Sequence, residues 1–172
     1  MTSKQTLRGP FVATTQIYYR VVKGKKGFYD RLIRWYSRSP YTHAEFCWPL
    51  YNPKPPEYLG AQTEGGVDIR PANYLGDSPF DTFGVEVTPE QQEKMRMFLL
   101  AQVGKEYDFR AILGMAFSRL DQGKKTNTWF CSELVFYAFA LIGKALLRAP
   151  LQQADRMTPR DVAISPLAKL VV

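Results

Sequence analysis

Two residues of this chain could make a nucleophile and its base. "TWFCSELVFYAF" (128–139) sets Cys131 directly before an apolar, helix-like run, and "YTHAEFCW" (41–48) carries His43, the single histidine in 172 residues. A thiol attacks carbonyl carbon as its anion. The start of a helix stabilises an anion through free N–H groups and the macrodipole. Asn127 and Thr128 read as caps, which puts Cys131 in the first turn. An imidazole beside the sulfur would complete the pair and later protonate a leaving group. A structural thiol buried in a helix has the same residue pattern, as does a histidine that merely finishes a strand. Residue types alone leave both readings open. Cys47 is the weaker nucleophile candidate: four residues from His43 on one strand, it would sit about 13 Å away at about 3.3 Å per residue. It reads as core.

Hydrophobic residues make up 45% of the chain and aromatics 14%, the composition of a single globular domain over 1–172. Two cysteines and one histidine, widely spaced, are too few for a structural zinc site, and no metal or cofactor is expected. The opening "MTSKQTLRGP" lacks the apolar core of a signal peptide. The longest apolar helical stretch, 134–142, is too short to span a bilayer. These features predict a protein with no transmembrane segment and free thiols, cytoplasmic or phage-associated.

The net charge is +7, and residues 20–38 hold most of it: Arg20, Lys23, Lys25, Lys26, Arg31, Arg34 and Arg38 against Asp30 alone. Such a segment could dock on an anionic polymer or surface, or be a solvated basic face. No nucleic-acid module signature accompanies it, so no specific nucleic-acid partner is expected.

These residues need elements to hold them. Residues 11–22 are β-branched and aromatic and read as a strand. After a turn at 23–27, a helix is predicted with Phe28, Leu32, Ile33 and Tyr36 on its inward face. Strands follow at 43–48, 57–64 and 83–87. Residues 88–104 carry the clearest helix signal: Thr88 as N-cap, Pro89 at N1, Gln91 closing a capping box, an apolar stripe of Met95, Phe98, Leu99 and Val103, and Gly104 at the end. A helix is predicted at 109–120, with Ile112, Leu113, Ala116, Phe117 and Leu120 inward, and another from Cys131 to near Gly143. The predicted class is α+β: an antiparallel sheet with helices packed on one side.

The order "SPYTHAEF" then "WFCSELV", 88 residues apart from histidine to cysteine, resembles the circularly permuted branch of the NlpC/P60 papain-like superfamily, the YiiX/LRAT-like proteins. "TEGGVDIRP" is similar to that family's glycine-valine turn, "GKEYDFRAILG" to its segment before the cysteine helix, and "MTPRDV" to its closing segment. The resemblance covers about residues 13–163. It implies a sheet with the nucleophile helix packed on it, and a thiol hydrolase or acyltransferase acting on a peptide, amide, ester or thioester carbonyl. It implies an acyl-enzyme on Cys131, with the oxyanion held partly by the Cys131 backbone N–H. Tyr107 matches the tyrosine near the nucleophile, where it would contact substrate; a core aromatic is the plain alternative. For the residue that orients His43, counting back from Gly66-Val67 favours Gln62, its amide oxygen accepting from the imidazole, over Glu64. Glu45 shares a face with His43 but reads as too close along one strand to orient it. The competing function is a non-catalytic binding module or phage component that uses the 20–38 segment.

Overall fold

The computed structural model describes residues 13–24, 27–109, 127–149 and 151–171. Its centre is a six-stranded antiparallel sheet. In chain order the strands are β1 (Thr15–Lys23), β2 (Tyr41–Trp48), β3 (Glu57–Gln62), β4 (Gly66–Pro71), β5 (Phe80–Val87) and, after the helices, β8 (Lys169–Val171). Across the sheet the order is β4-β3-β2-β1-β5-β8. The strand TQIYYRVVK is central because it can use both faces. Ile17, Tyr19 and Val21 are fully buried in the core. Arg20, between them, points the other way.

The helices are α1 (Phe28–Ser37), α2 (Pro89–Leu100), α3 (Cys131–Leu141) and the short α4 (Pro159–Ala163), with a 3-10 turn at Leu151–Arg156. Helix α3 is apolar on nearly every side, as a helix enclosed by other elements must be. It lies over β2 and β3, with α2 and α4 beside it. Phe139 is its main anchor, its ring 5.7 Å from Phe46 and 5.6 Å from Tyr19. Burying one such ring contributes roughly 2–3 kcal/mol. The Tyr19 hydroxyl donates to the Val162 carbonyl at 2.7 Å, tying α4 to the same sheet.

Helix α2 starts as its sequence predicts: the Thr88 side chain accepts from Gln91 N, and the Gln91 side chain accepts from Thr88 N. It stops at Leu100, earlier than expected. Turns then lead to Gly104 at φ +86°, and Val103 is exposed rather than part of the stripe. Helix α1 is where expected, but its inward face differs. Ile33 and Ser37 are buried, whereas Phe28 is 71% and Tyr36 42% exposed. At 3.6 residues per turn, Ile33 and Ser37 stack four apart on one side, and Phe28 falls on the far side with Trp35.

Residues 66–71, read as a turn, form strand β4. The turn itself is only Thr63–Gly65, made tight by Gly65 and Gly66 at φ +81° and +65°. Strand β8 was missed because it is three residues long and mostly exposed. So was a two-residue parallel ladder of β6 (Glu106–Tyr107) and β7 (Thr128–Trp129), too short for any alternation to show. That ladder delivers Tyr107 to the start of α3. The helix predicted at 109–120 lies outside the described residues, apart from Phe109.

Candidate functional site

Cys131 is the first residue of α3. Phe130 is the N-cap, and its N–H is met by the Glu133 side chain at 3.2 Å. Asn127 and Thr128 do not cap the helix. Thr128 belongs to β7, and its hydroxyl donates to Asp108 at 3.2 Å. Ser132 is bonded through its hydroxyl to the Met157 carbonyl, which pins the first turn to the segment before α4. The N–H groups of this first turn have no carbonyl one turn earlier to bond, and they surround the Cys131 backbone. The sulfur has two side-chain partners. The Tyr107 hydroxyl faces it, and burial first, then the neighbouring Cys131, pushes the Tyr107 pKa well up. The other partner is the imidazole of His43.

His43 is aimed by an irregularity in β2. Val22 pairs with His43 and Lys23 with Tyr41, so Thr42 is an extra residue with no partner on β1. A bulge of this kind bends a strand and redirects its side chains. The backbone folds closely here: a Cβ on Gly24 would lie 2.2 Å from the Thr42 hydroxyl oxygen. His43 Nε2 is 3.2 Å from Glu45 Oε2, 3.3 Å from Gln62 Nε2 and 3.4 Å from the Tyr74 hydroxyl. Burial alone would lower the histidine pKa. The Glu45 carboxylate and Cys131 outweigh burial and raise it to about 10.

Glu45 is thus the carboxylate that meets the imidazole. Two residues apart on one strand face, Glu45 and His43 were expected to lie too near for this, yet a glutamate has enough reach to curl back on its i−2 neighbour. Glu45 is fully buried and its two oxygens divide the work. Oε1 accepts from Arg20 Nε at 2.6 Å, and Oε2 accepts from the Tyr74 hydroxyl at 2.5 Å as well as facing His43. Burial would raise its pKa, but the histidine and the arginine overcome that and hold it low. Arg20 sits opposite Glu45 in the β1–β2 register, with its guanidinium 3.3 Å from the Tyr58 ring centroid and 4.9 Å from that of Phe80. Both charges are out of water, which is costly unless each is fully partnered. Gly60 makes the room: a Cβ there would lie 2.6 Å from the Glu45 Cβ.

Gln62 lies beside His43 as predicted, but its amide nitrogen, not its oxygen, faces the ring. That nitrogen also donates to the Tyr74 hydroxyl at 2.5 Å. An N–H cannot accept from an imidazolium, so Gln62 holds Tyr74, and Tyr74 in turn holds Glu45. Glu64 is exposed in the β3–β4 turn, where its backbone carbonyl accepts from Arg70 at 3.0 Å; it is not among the partners of His43. Cys47 is buried, and burial pushes its thiol pKa up to about 12. The Glu45 role follows from the register that sets Arg20 opposite it, which the residues around His43 do not show. Tyr74 comes from the irregular chain between β4 and β5, where no pattern marks it.

A cavity of about 260 Å³ opens onto His43, Gln62 and Tyr107, with Tyr29, Asp30 and Ile33 of α1 on its far wall. Cys131 acts on two of those lining residues, His43 and Tyr107, but does not line the cavity and is itself only 1% exposed. The 20–38 segment carries less free charge than its composition suggests. Arg20 is buried against Glu45, and Lys23 pairs with Asp81 at 2.9 Å. Lys25 and Lys26 lie outside the described residues. No helix among the described residues is long and apolar enough to cross a membrane.

Set against protein-family models and against curated proteins, the chain matches none.

Proposed function

We propose that this chain is a cysteine-dependent hydrolase of the permuted NlpC/P60 papain-like type, attacking an amide, ester or thioester carbonyl through an acyl-enzyme on Cys131. One observation carries the reading: a buried series from Arg20 to Glu45 at 2.5 Å and from Glu45 to His43 at 3.2 Å, with Cys131, at a helix start, the next group to act on the imidazole. A merely structural thiol needs no such series. The antiparallel sheet, the histidine strand preceding the cysteine helix and α3 packed on β2 and β3 support the same reading.

In this mechanism the sulfur attacks the carbonyl carbon, forming a C–S bond as the carbonyl π electrons move to oxygen. The N–H groups of the α3 first turn, the Cys131 N–H among them, face the developing oxyanion. His43, charged through its contact with Glu45, gives its proton to the departing amine, alcohol or thiol. Water then attacks the thioester while the now neutral His43 takes its proton, and the acid leaves as sulfur is released. Glu45 is the orienting group, Arg20 and Tyr74 position it, and the Tyr107 hydroxyl donates to sulfur.

Acyl and peptide probe panels, cell-wall peptides included, test this when the protein is digested and its peptides weighed. The reading expects an acyl adduct on the peptide containing Cys131, abolished in His43→Ala. Turnover that proceeds unchanged in Cys131→Ala would end it.

A further inference from the structure

Helix α1 has two working faces, and the hydrolase reading uses only one. Tyr29, Asp30 and Ile33 line the cavity. On the opposite side Phe28 is 71% and Trp35 68% exposed, with Tyr36 beside them. A contiguous exposed apolar patch rimmed by polar groups marks an interaction site. Arg31, Arg34 and Arg38 flank this ridge. All three are exposed, and none enters an ion pair among the described residues. Together with Trp35, Ser39 and Pro40 they line a surface groove of about 530 Å³. The single acidic residue of the helix, Asp30, is turned to the cavity, so the outer face carries one sign of charge.

We propose that this face of α1 docks on an anionic lipid bilayer. An exposed ridge of tryptophan and phenylalanine flanked by arginines is the arrangement of an interfacial helix: rings enter the headgroup boundary and guanidinium groups meet phosphates. The alternative partner for three arginines, a nucleic acid, gives no reason for Phe28, which lies a full turn away from the groove. The positive charge complements the surface, and the rings supply the apolar area. Because the inner side of α1 walls the cavity, docking sets that cavity beside the membrane. Aromatic rings run between the two: Phe28 to Tyr29 at 5.7 Å, Tyr29 to Phe109 at 5.8 Å and Phe109 to Tyr107 at 5.2 Å. The proposal is independent of catalysis and is tested by binding alone.

The experiment is vesicle sedimentation with Cys131→Ala protein, using one-third phosphatidylserine in phosphatidylcholine against phosphatidylcholine alone. The expected results are retention by the anionic vesicles only and loss of most binding between about 0.1 and about 0.5 M salt. Trp35 emission should shift to the blue, a shift absent in Trp35→Ser; the other tryptophans, Trp48 and Trp129, are already buried or half-buried. Replacing all three arginines with glutamine should weaken binding by roughly 100-fold, at about tenfold or less for each. Phe28→Ser with Trp35→Ser should weaken it at least tenfold with every arginine present; these side chains are outside the core, and unchanged thermal unfolding confirms the fold. No sedimentation with either vesicle overturns the proposal. So does binding that needs the arginines but ignores Phe28 and Trp35, above all if a DNA or RNA duplex binds in the same way.

Discussion

His43 is the residue on which the candidate chemistry turns, and its charge is set by neighbours rather than by exposure. Its side chain is only 12% exposed, a setting that by itself favours the neutral ring. Glu45 reverses that. Because the chain has one histidine, the imidazole C–H resonance in a proton NMR titration is unambiguous, and it should move with a midpoint near pH 10 rather than near 6.5. In Glu45→Gln the attraction is gone while burial remains, so the midpoint should fall. Turnover should drop about 10- to 100-fold, or about 1.4–2.7 kcal/mol of barrier. A midpoint near 6.5 in the unmodified protein would show that Glu45 does not govern the ring. The same shift makes a stability statement. A histidine pKa raised on folding stabilises the protein fully below about pH 6.5, and that contribution disappears as pH rises toward about 10. Urea midpoints should therefore decline across this window, and the decline should flatten in His43→Ala.

Among the elements, β2 and β3 carry the site because the residues between them are small where they must be. Gly60 is the clearest case. Gly60→Ala pushes a methyl group into Glu45, and overpacking of this kind costs roughly 1–3 kcal/mol. Urea denaturation should show that loss, and the histidine midpoint should move with it, because displacing Glu45 changes the His43 environment. Loss of stability with an unchanged histidine titration would mean that β3 does not position the carboxylate. Local patterns announced most of these elements. The capping box of Thr88 and Gln91 was legible because every bond in it is between residues three apart. The inward face of α1 was not, since six of its ten residues are apolar or aromatic and the stripe is too wide to say which side meets the sheet. Strand β4 hid behind two glycines, and the β6–β7 ladder exists only through pairing across more than twenty residues. At the site, Cys131 and His43 stood out by type and scarcity. Glu45 and Tyr74 did not, because their roles depend on a buried register and an irregular segment that pattern reasoning does not reach.

Taken as one object, the protein joins an apolar half to a charged interior layer. One face of the sheet packs Ile17, Tyr19, Phe46 and Leu59 under α3. The other buries Arg20 and Glu45 among Tyr58, Tyr74 and Phe80. Removing one partner of such a pair costs roughly 3–5 kcal/mol, which is why Arg20→Ala should unfold the protein at markedly lower urea, whereas removing exposed Arg34 should leave the urea midpoint within about 0.5 kcal/mol of its starting value. The α3 start, the bulge at Thr42 and the β6–β7 ladder converge where those layers meet, and there the sulfur, the imidazole and the phenol come together. The most direct measurement is intact-protein mass spectrometry of an acid-quenched reaction with a reporter thioester, followed by peptide mapping. An acyl group on Cys131 that forms and decays at the rate of turnover is the predicted result. Turnover with the acyl group on Cys47, or with no acyl-protein and undiminished rate in Cys131→Ala, would contradict it.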